Sequence, residues 1–294
     1  MSQQHTEKAP CLRRIAAIHD ISGLGKCSLT VALPVISASG VECSCIPTAL
    51  LSTHTGEFEG FTFRDLSDEI LPIAAHWKSV GAGFDGIYSG YLASAEQVNT
   101  LFKVIKLLAD RDTRIIIDPV MGDNGSYYSK MGPHMRDAFR RLCAEAHVIT
   151  PNITEAAFLT DTPFDEGPHS PSYVDGLLDG LSRICSGTVV ITGVRGDAST
   201  VGVAALDGST GKRFTAMRPH GEGIFYGAGD IFASALAALT VRGATLETAV
   251  DAAISLVADC VEITSKSDRP RRFGMDFELA LPAYIKAVEA LGLS

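Results

Sequence analysis

The chain has 294 residues, a formal net charge of −9 and a hydrophobic fraction of 46%. The acidic balance argues against nucleic acid or an anionic membrane surface as partner, since both reward a basic face; a small anionic ligand needs only a local site. The length admits one large domain or two ordinary ones, and 28 glycines with 13 prolines break the sequence as often as an α/β enzyme would require.

The chain opens on the polar stretch MSQQHTEKAP, with no apolar segment of the secretory type. Residues 1–11 are expected to form a flexible tail ahead of one domain over 12–294. No apolar run approaches the ~20 residues of a membrane helix, and a cytoplasmic protein is expected. Leu12 to Ile18 reads as a strand, Lys26 to Ser39 as a helix ended by Gly40, and VECSCIPT as a second strand. DGIYSG follows, then a helix from Ser94 to Asp110 opened by Ser94 and Gln97 in a capping box. TRIIIDP and AHVITP are apolar runs stopped by proline, the pattern of strands buried on both faces. GTVVITG is another strand, and TVGVAAL with GKRFTAM forms a predicted hairpin across DGSTG. From Ala228 the chain is mostly helical.

This alternation predicts an α/β fold: a single-domain, three-layer αβα arrangement around a mainly parallel sheet. DTPFDEGPHSPSY reads as a surface loop, and MGDNGSYYSKMG, directly after a strand end, as a mobile cover. The seven cysteines (Cys11, Cys27, Cys43, Cys45, Cys143, Cys185 and Cys260) form no C-x-x-C pair, so structural zinc is not expected. Cys43 and Cys45 alternate onto one strand face; buried free thiols in a reducing compartment are the expectation.

Two glycine-rich stretches compete to hold phosphate. GLGKCS resembles a phosphate-binding loop, but that motif opens with glycine where Asp20 stands and follows its lysine with Ser or Thr, where Cys27 stands. The dinucleotide fingerprint fails at Ser28. GLGKCS is therefore read as a tight turn, with Lys26 a solvated charge at a helix start. FYGAGDIFASALAAL is the better candidate: Gly227, Ala228 and Gly229 precede Asp230 and an alanine-rich helix, and N–H groups at a helix start make an anion site.

Three further stretches lie at predicted strand ends, where open α/β sheets place ligands. They carry Asp118 and Asp123, then Thr150, Asn152 and Glu155, then Thr192 and Gly193. Carboxylates there suit a magnesium–phosphate pair. Asn152 with Glu155 is equally a capping box, and Asp118-Pro119 equally a turn.

Together these stretches resemble the ribokinase superfamily, and within it the pyridoxal/pyridoxamine kinases, from about Ile15 to the final helix. GAGD is similar to the superfamily's phosphate-cradling signature; STHTG, YSGYL, DPVMGD and TPNITEA resemble the vitamin B6 kinase pattern. The resemblance implies ATP-dependent phosphorylation of a hydroxymethyl group, with Asp230 as general base and Gly227, Ala228 and Gly229 as anion hole. It implies Mg²⁺ near Asp118, Asp123 and Glu155, with K⁺ a candidate activator. ATP would lie by Thr150, Asn152, Thr192 and Gly193, and the pyridine ring by Asp20, Ser22, Thr55 and Tyr91. A homodimer is implied as well. His19 and Asp20 stand where many pyridoxal kinases carry a serine, closer to bacterial pyridoxamine-kinase and hydroxymethylpyrimidine-kinase patterns; His19 is either a ligand contact or a core histidine. A hydroxymethylpyrimidine kinase is the near alternative, although those enzymes often carry cysteine at the place of Asp230. A non-catalytic vitamin-binding homologue is the distant one, and it would not require a base.

Overall fold

Strand β1 (Arg14–Ser22) buries Ile15, Ala16, Ala17 and Ile18 in succession, which a strand can do only with cover on both faces. A computed structural model of the chain shows that cover; it describes residues 12–129, 131–219, 221 and 223–293, so the expected tail 1–11, Cys11 and Lys130 of the expected cover lie outside the described residues. After β1 come α1 (Leu29–Ala38), β2 (Glu42–Leu51), β3 (Phe63–Asp65), α2 (Ser67–Ser79), β4 (Gly86–Ser89), α3 (Ala95–Leu108) and β5 (Arg114–Ile117). The short hairpin β6 (Gly122–Asp123) and β7 (Ser126–Tyr127) follows, then α4 (Pro133–Cys143), β8 (Val148–Ile149), α5 (Ile153–Thr160) and α6 (Pro171–Ser182). Last are β9 (Thr188–Arg195), β10 (Thr200–Leu206), β11 (Arg213–Pro219), α7 (Ala228–Val241), α8 (Leu246–Ser265) and α9 (Leu281–Ala290).

Among the described residues nine strands form one sheet in the order β11-β10-β9-β8-β5-β4-β1-β2-β3. The inner pairs from β2 to β9 are parallel, while β3, β10 and β11 join antiparallel. Ala16 and Ile18 face a core layer built with α2 to α6, and Ile15 and Ala17 face the opposite layer, built with α1, α7, α8 and α9. The three-layer αβα expectation holds. Helix α7 is buried almost all round, from Ile231 to Leu239, as its alanine-rich sequence demands. Among the described residues no helix is long and apolar enough to cross a membrane.

Several boundaries move, each for a local reason. β1 runs on to Ser22, so HDIS is still strand. The helix expected from Lys26 begins only at Leu29, because Lys26 and Ser28 have φ of 54° and 60°. Ser94 accepts the Gln97 N–H as expected, but Gln97 returns to the amide of Ala93, one residue before the N-cap. The expected loop at Ser170-Pro171 already starts α6, with proline at the first turn. Cys143, Cys185 and Cys260 are buried free thiols, whereas Cys27, Cys43 and Cys45 are only half-buried.

Lys26 is not a solvated charge. Its Nζ donates to the Met275 carbonyl (3.1 Å), Asp276 (3.1 Å) and Glu278 (2.7 Å), and Arg269 shares Asp276 at 3.1 Å. The lysine thereby ties GLGKCS to the C-terminal turns and offsets the strain of its own left-handed backbone. Lys26→Ala should cost about 1–3 kcal/mol in urea unfolding and leave nucleotide affinity nearly unchanged. A phosphate-loop lysine would show the reverse, with nucleotide binding lost.

Candidate active site

The strand order reverses at β1, with β2 on one side and β4 on the other. Open sheets hold ligands beyond the carboxyl ends at such a point. Here β1 ends in His19, Asp20 and Ser22, and β4 is followed by Gly90 and Tyr91. The first turn of α7 arrives opposite them.

That turn is open. Gly227 has φ of +88°, and a Cβ on it would lie 2.5 Å from the Lys26 carbonyl, so glycine is required twice over. The Ala228 N–H reaches Phe225 O at 3.3 Å, while those of Gly229 and Asp230 have no backbone acceptor among the described residues. A Cβ on Gly229 would meet nothing within 4 Å. Unpaired N–H groups at an open helix start can take an anion.

Asp230 is held by two donors. Oδ2 accepts the Ser28 N–H at 2.9 Å, and Oδ1 lies 3.1 Å from His19 Nε2. His19 Nδ1 is 3.1 Å from Asp20 Oδ1, and Asp20 Oδ2 accepts the Ser22 hydroxyl at 3.0 Å. Burial alone would push the imidazole pKa down; hydrogen bonds to Asp20 and Asp230, and their charges, outweigh it and carry it up to about 10. Burial would likewise raise Asp20, but His19 pulls it below its ordinary value. The Tyr91 amide, 3.1 Å from Nδ1, and the Asp20 amide, at 3.2 Å, compete for that nitrogen and favour a neutral ring. A charge pair near 4 Å is worth roughly 4 kcal/mol at an effective dielectric of about 20, against about 1 kcal/mol net for each amide hydrogen bond, a balance that favours the cation.

Asp118 follows β5 and is buried; burial and then the charge of Asp230 push its carboxyl up to about 7. The Thr150 hydroxyl, on an adjoining strand end, acts against that rise through a hydrogen bond, while the Ser89 hydroxyl is buried without a hydrogen-bond partner among the described residues. An ionisable carboxyl beside an orphaned hydroxyl oxygen suits a hard cation or its waters. Asp123 is exposed on the β6–β7 hairpin and accepts from Asn124.

Glu155 differs from the metal expectation. Oε2 accepts the Asn152 N–H at 2.9 Å, and Oε1 accepts those of Met121 (2.9 Å) and Gly122 (3.5 Å). Both oxygens are committed to backbone, completing the capping box of α5. Glu155 holds the 121–122 turn and the start of α5 together. Among the described residues no group of three or more His, Cys, Asp or Glu is placed to hold a metal.

The other expected residues fall in two places. Thr192 bridges Asn152 and donates its N–H to Pro151 O at 2.9 Å, which gathers Thr150, Asn152, Thr192 and Gly193 along β8 and β9. Thr55 lines a cavity of about 510 Å³ with Glu57, Phe58, Glu59 and Arg272. Burial, then the charges of Asp20 and Asp65, raise the Tyr91 phenol to about 12.

His54 is a residue the sequence did not single out. Nδ1 accepts the Gly56 N–H at 3.0 Å, Nε2 donates to Arg272 O at 2.6 Å, and the ring lies 4.7 Å from that of Tyr226. It joins the STHTG turn, the C-terminal turn and the approach to α7. A histidine inside an irregular turn has no periodicity to betray it.

Comparison with known proteins supports a common origin. A family model described as phosphomethylpyrimidine kinase matches residues 32–271. The pyridoxine/pyridoxal/pyridoxamine kinase of Bordetella avium is 27% identical over 277 residues, covering 88% of each chain. A Bacteroides thetaiotaomicron protein assigned to the phosphomethylpyrimidine kinases, crystallised with pyridoxal, is 34% identical with a TM-score of 0.88, covering 93% of this chain and 96% of that one. The pyridoxal kinase of Lactobacillus plantarum is 30% identical with a TM-score of 0.85, covering 96% and 98%.

Glu155→Ala should cost about 2–4 kcal/mol in urea unfolding, because it leaves buried backbone donors without an acceptor. Unchanged stability with a raised magnesium requirement would instead make Glu155 a metal residue.

Proposed function

The chain belongs to the phosphomethylpyrimidine kinase family, and from that premise we propose that it is a vitamin B6 kinase. It transfers the γ-phosphoryl group of ATP to the hydroxymethyl oxygen of pyridoxal, pyridoxamine or pyridoxine. One observation carries the reading: Asp230 stands in the same helical turn as N–H groups left without an acceptor among the described residues. A base and an anion hole are what transfer to a weak alcohol nucleophile requires.

The hydroxymethyl proton passes to the Asp230 carboxylate as the oxygen forms its bond to phosphorus. The bond from phosphorus to the ADP oxygen breaks, and ADP leaves with the electron pair. The unpaired backbone N–H groups of Gly229 and Asp230, in the turn that Gly227 and Ala228 open, and the helix dipole meet the charge on the transferred group. Thr150, Asn152, Thr192 and Gly193 line the nucleotide side; Asp20, Ser22, Thr55 and Tyr91 line the ring side. Asp118 would hold Mg²⁺ through water, with Asp123 at the margin and K⁺ a candidate activator, and the metal would offset triphosphate charge. Residues 12–294 act as one kinase unit, a cytoplasmic homodimer as the family resemblance implies.

The family description favours a second reading, hydroxymethylpyrimidine as acceptor. A coupled ADP-release assay over pyridoxal, pyridoxamine, pyridoxine and hydroxymethylpyrimidine separates the two. Asp230→Asn keeps the shape and removes the base, so kcat should fall about 10²–10⁴-fold with ATP affinity preserved. Single-turnover kinetics beside thermal melts check this; a folded variant with near-normal turnover would deprive the reaction of its base.

A further inference from the structure

His19 is as buried as the core, yet the chemistry above gives it no task. Its ring is built in from several sides. A Cβ on Gly90 would lie 1.9 Å from Nε2 and 2.2 Å from Cδ2, so the chain past β4 has glycine where the imidazole passes. The ring meets Asp20 from its own strand, Asp230 from α7, the edge of Tyr88 from β4 at 6.2 Å between centroids, and the Tyr91 amide. Asp118, beyond β5, feels its charge. Of these groups only His19 can carry positive charge, while three are carboxylates. Ser28 fixes one oxygen of Asp230 and His19 the other, so the carboxylate cannot rotate without losing a donor.

We propose that His19 is a positioning residue for phosphoryl transfer: an imidazolium clamped between Asp20 and Asp230 that aims the base and offsets its charge toward the incoming anionic phosphoryl group. This rests on the kinase reading. Without His19, Asp230 stands among Asp20 and Asp118 with no counter-charge and with one oxygen unheld.

Imidazole NMR titration reads the clamp without reference to activity, with His19→Gln identifying the resonance. The ring should be cationic at pH 8 in the native protein and lose its proton at lower pH in Asp230→Asn. A neutral ring at pH 8, accepting from Tyr91, overturns the proposal. In kinetics His19→Gln should lower kcat by up to about 10²-fold and move the acid limb of kcat to higher pH. Added to Asp230→Asn it should cost little more. An unmoved acid limb, or full additivity, overturns it. Gly90→Ala displaces the ring with His19 intact and should give the same acid-limb shift, which keeps the test open if His19→Gln does not fold. If the native protein turns over none of the acceptors, the kinase reading fails, and the titration still decides the clamp.

Discussion

Strand β1 sends apolar side chains to both faces of the sheet and then, still within the ladder, ends in a histidine and an aspartate as buried as the isoleucines before them. That placement is costly unless the polar groups satisfy one another, since an unpaired buried charge costs several kcal/mol. The rest of the site follows from meeting this demand. Asp20 needs Ser22 and His19; His19 needs Asp230 and the space at Gly90; Asp230 needs the Ser28 amide, which only a sharply turned loop can present. The strained conformations at Lys26 and Ser28, each worth roughly 1–3 kcal/mol, are held by Asp276 and Asp230 in turn.

Much of this was legible in the sequence where chemistry and local structure coincide. Three glycine-or-alanine positions before Asp230 and an apolar run mark the open start of α7, and prolines after TRIIID and AHVIT mark the strand ends that carry Asp118 and Thr150. The β10–β11 hairpin was visible in DGSTG. What stayed hidden depends on distant partners. His19 and Asp230 lie 211 positions apart, and Lys26 and Asp276 lie 250 apart, so neither pair has a spacing to read. Helix α2 carries Pro72 inside it, and α6 begins among turn-forming residues, which masks both.

Glu155 shows how two sound readings of one residue can divide. Its spacing from Asn152 permitted a helix cap, and its neighbourhood permitted a metal role. Both of its oxygens serve backbone amides, those of the cap and of the turn after Asp118. The carboxylate braces the turn after Asp118.

Helix α7 carries Asp230, but little of its docking is owed to that residue. Bringing residues 211 apart into contact costs roughly 5 kcal/mol of chain entropy, more than one ion contact at the site returns. The ten buried side chains of α7, worth roughly 1.5–3 kcal/mol for each large aliphatic or aromatic one, close that loop. Asp230, the unpaired N–H groups of the first turn and the acceptor of Ser28 ride on one apolar helix, so they arrive together as the chain folds and depart together if the helix lifts. The geometry of the candidate site is therefore tied to one docking equilibrium, set by greasy residues buried against the sheet.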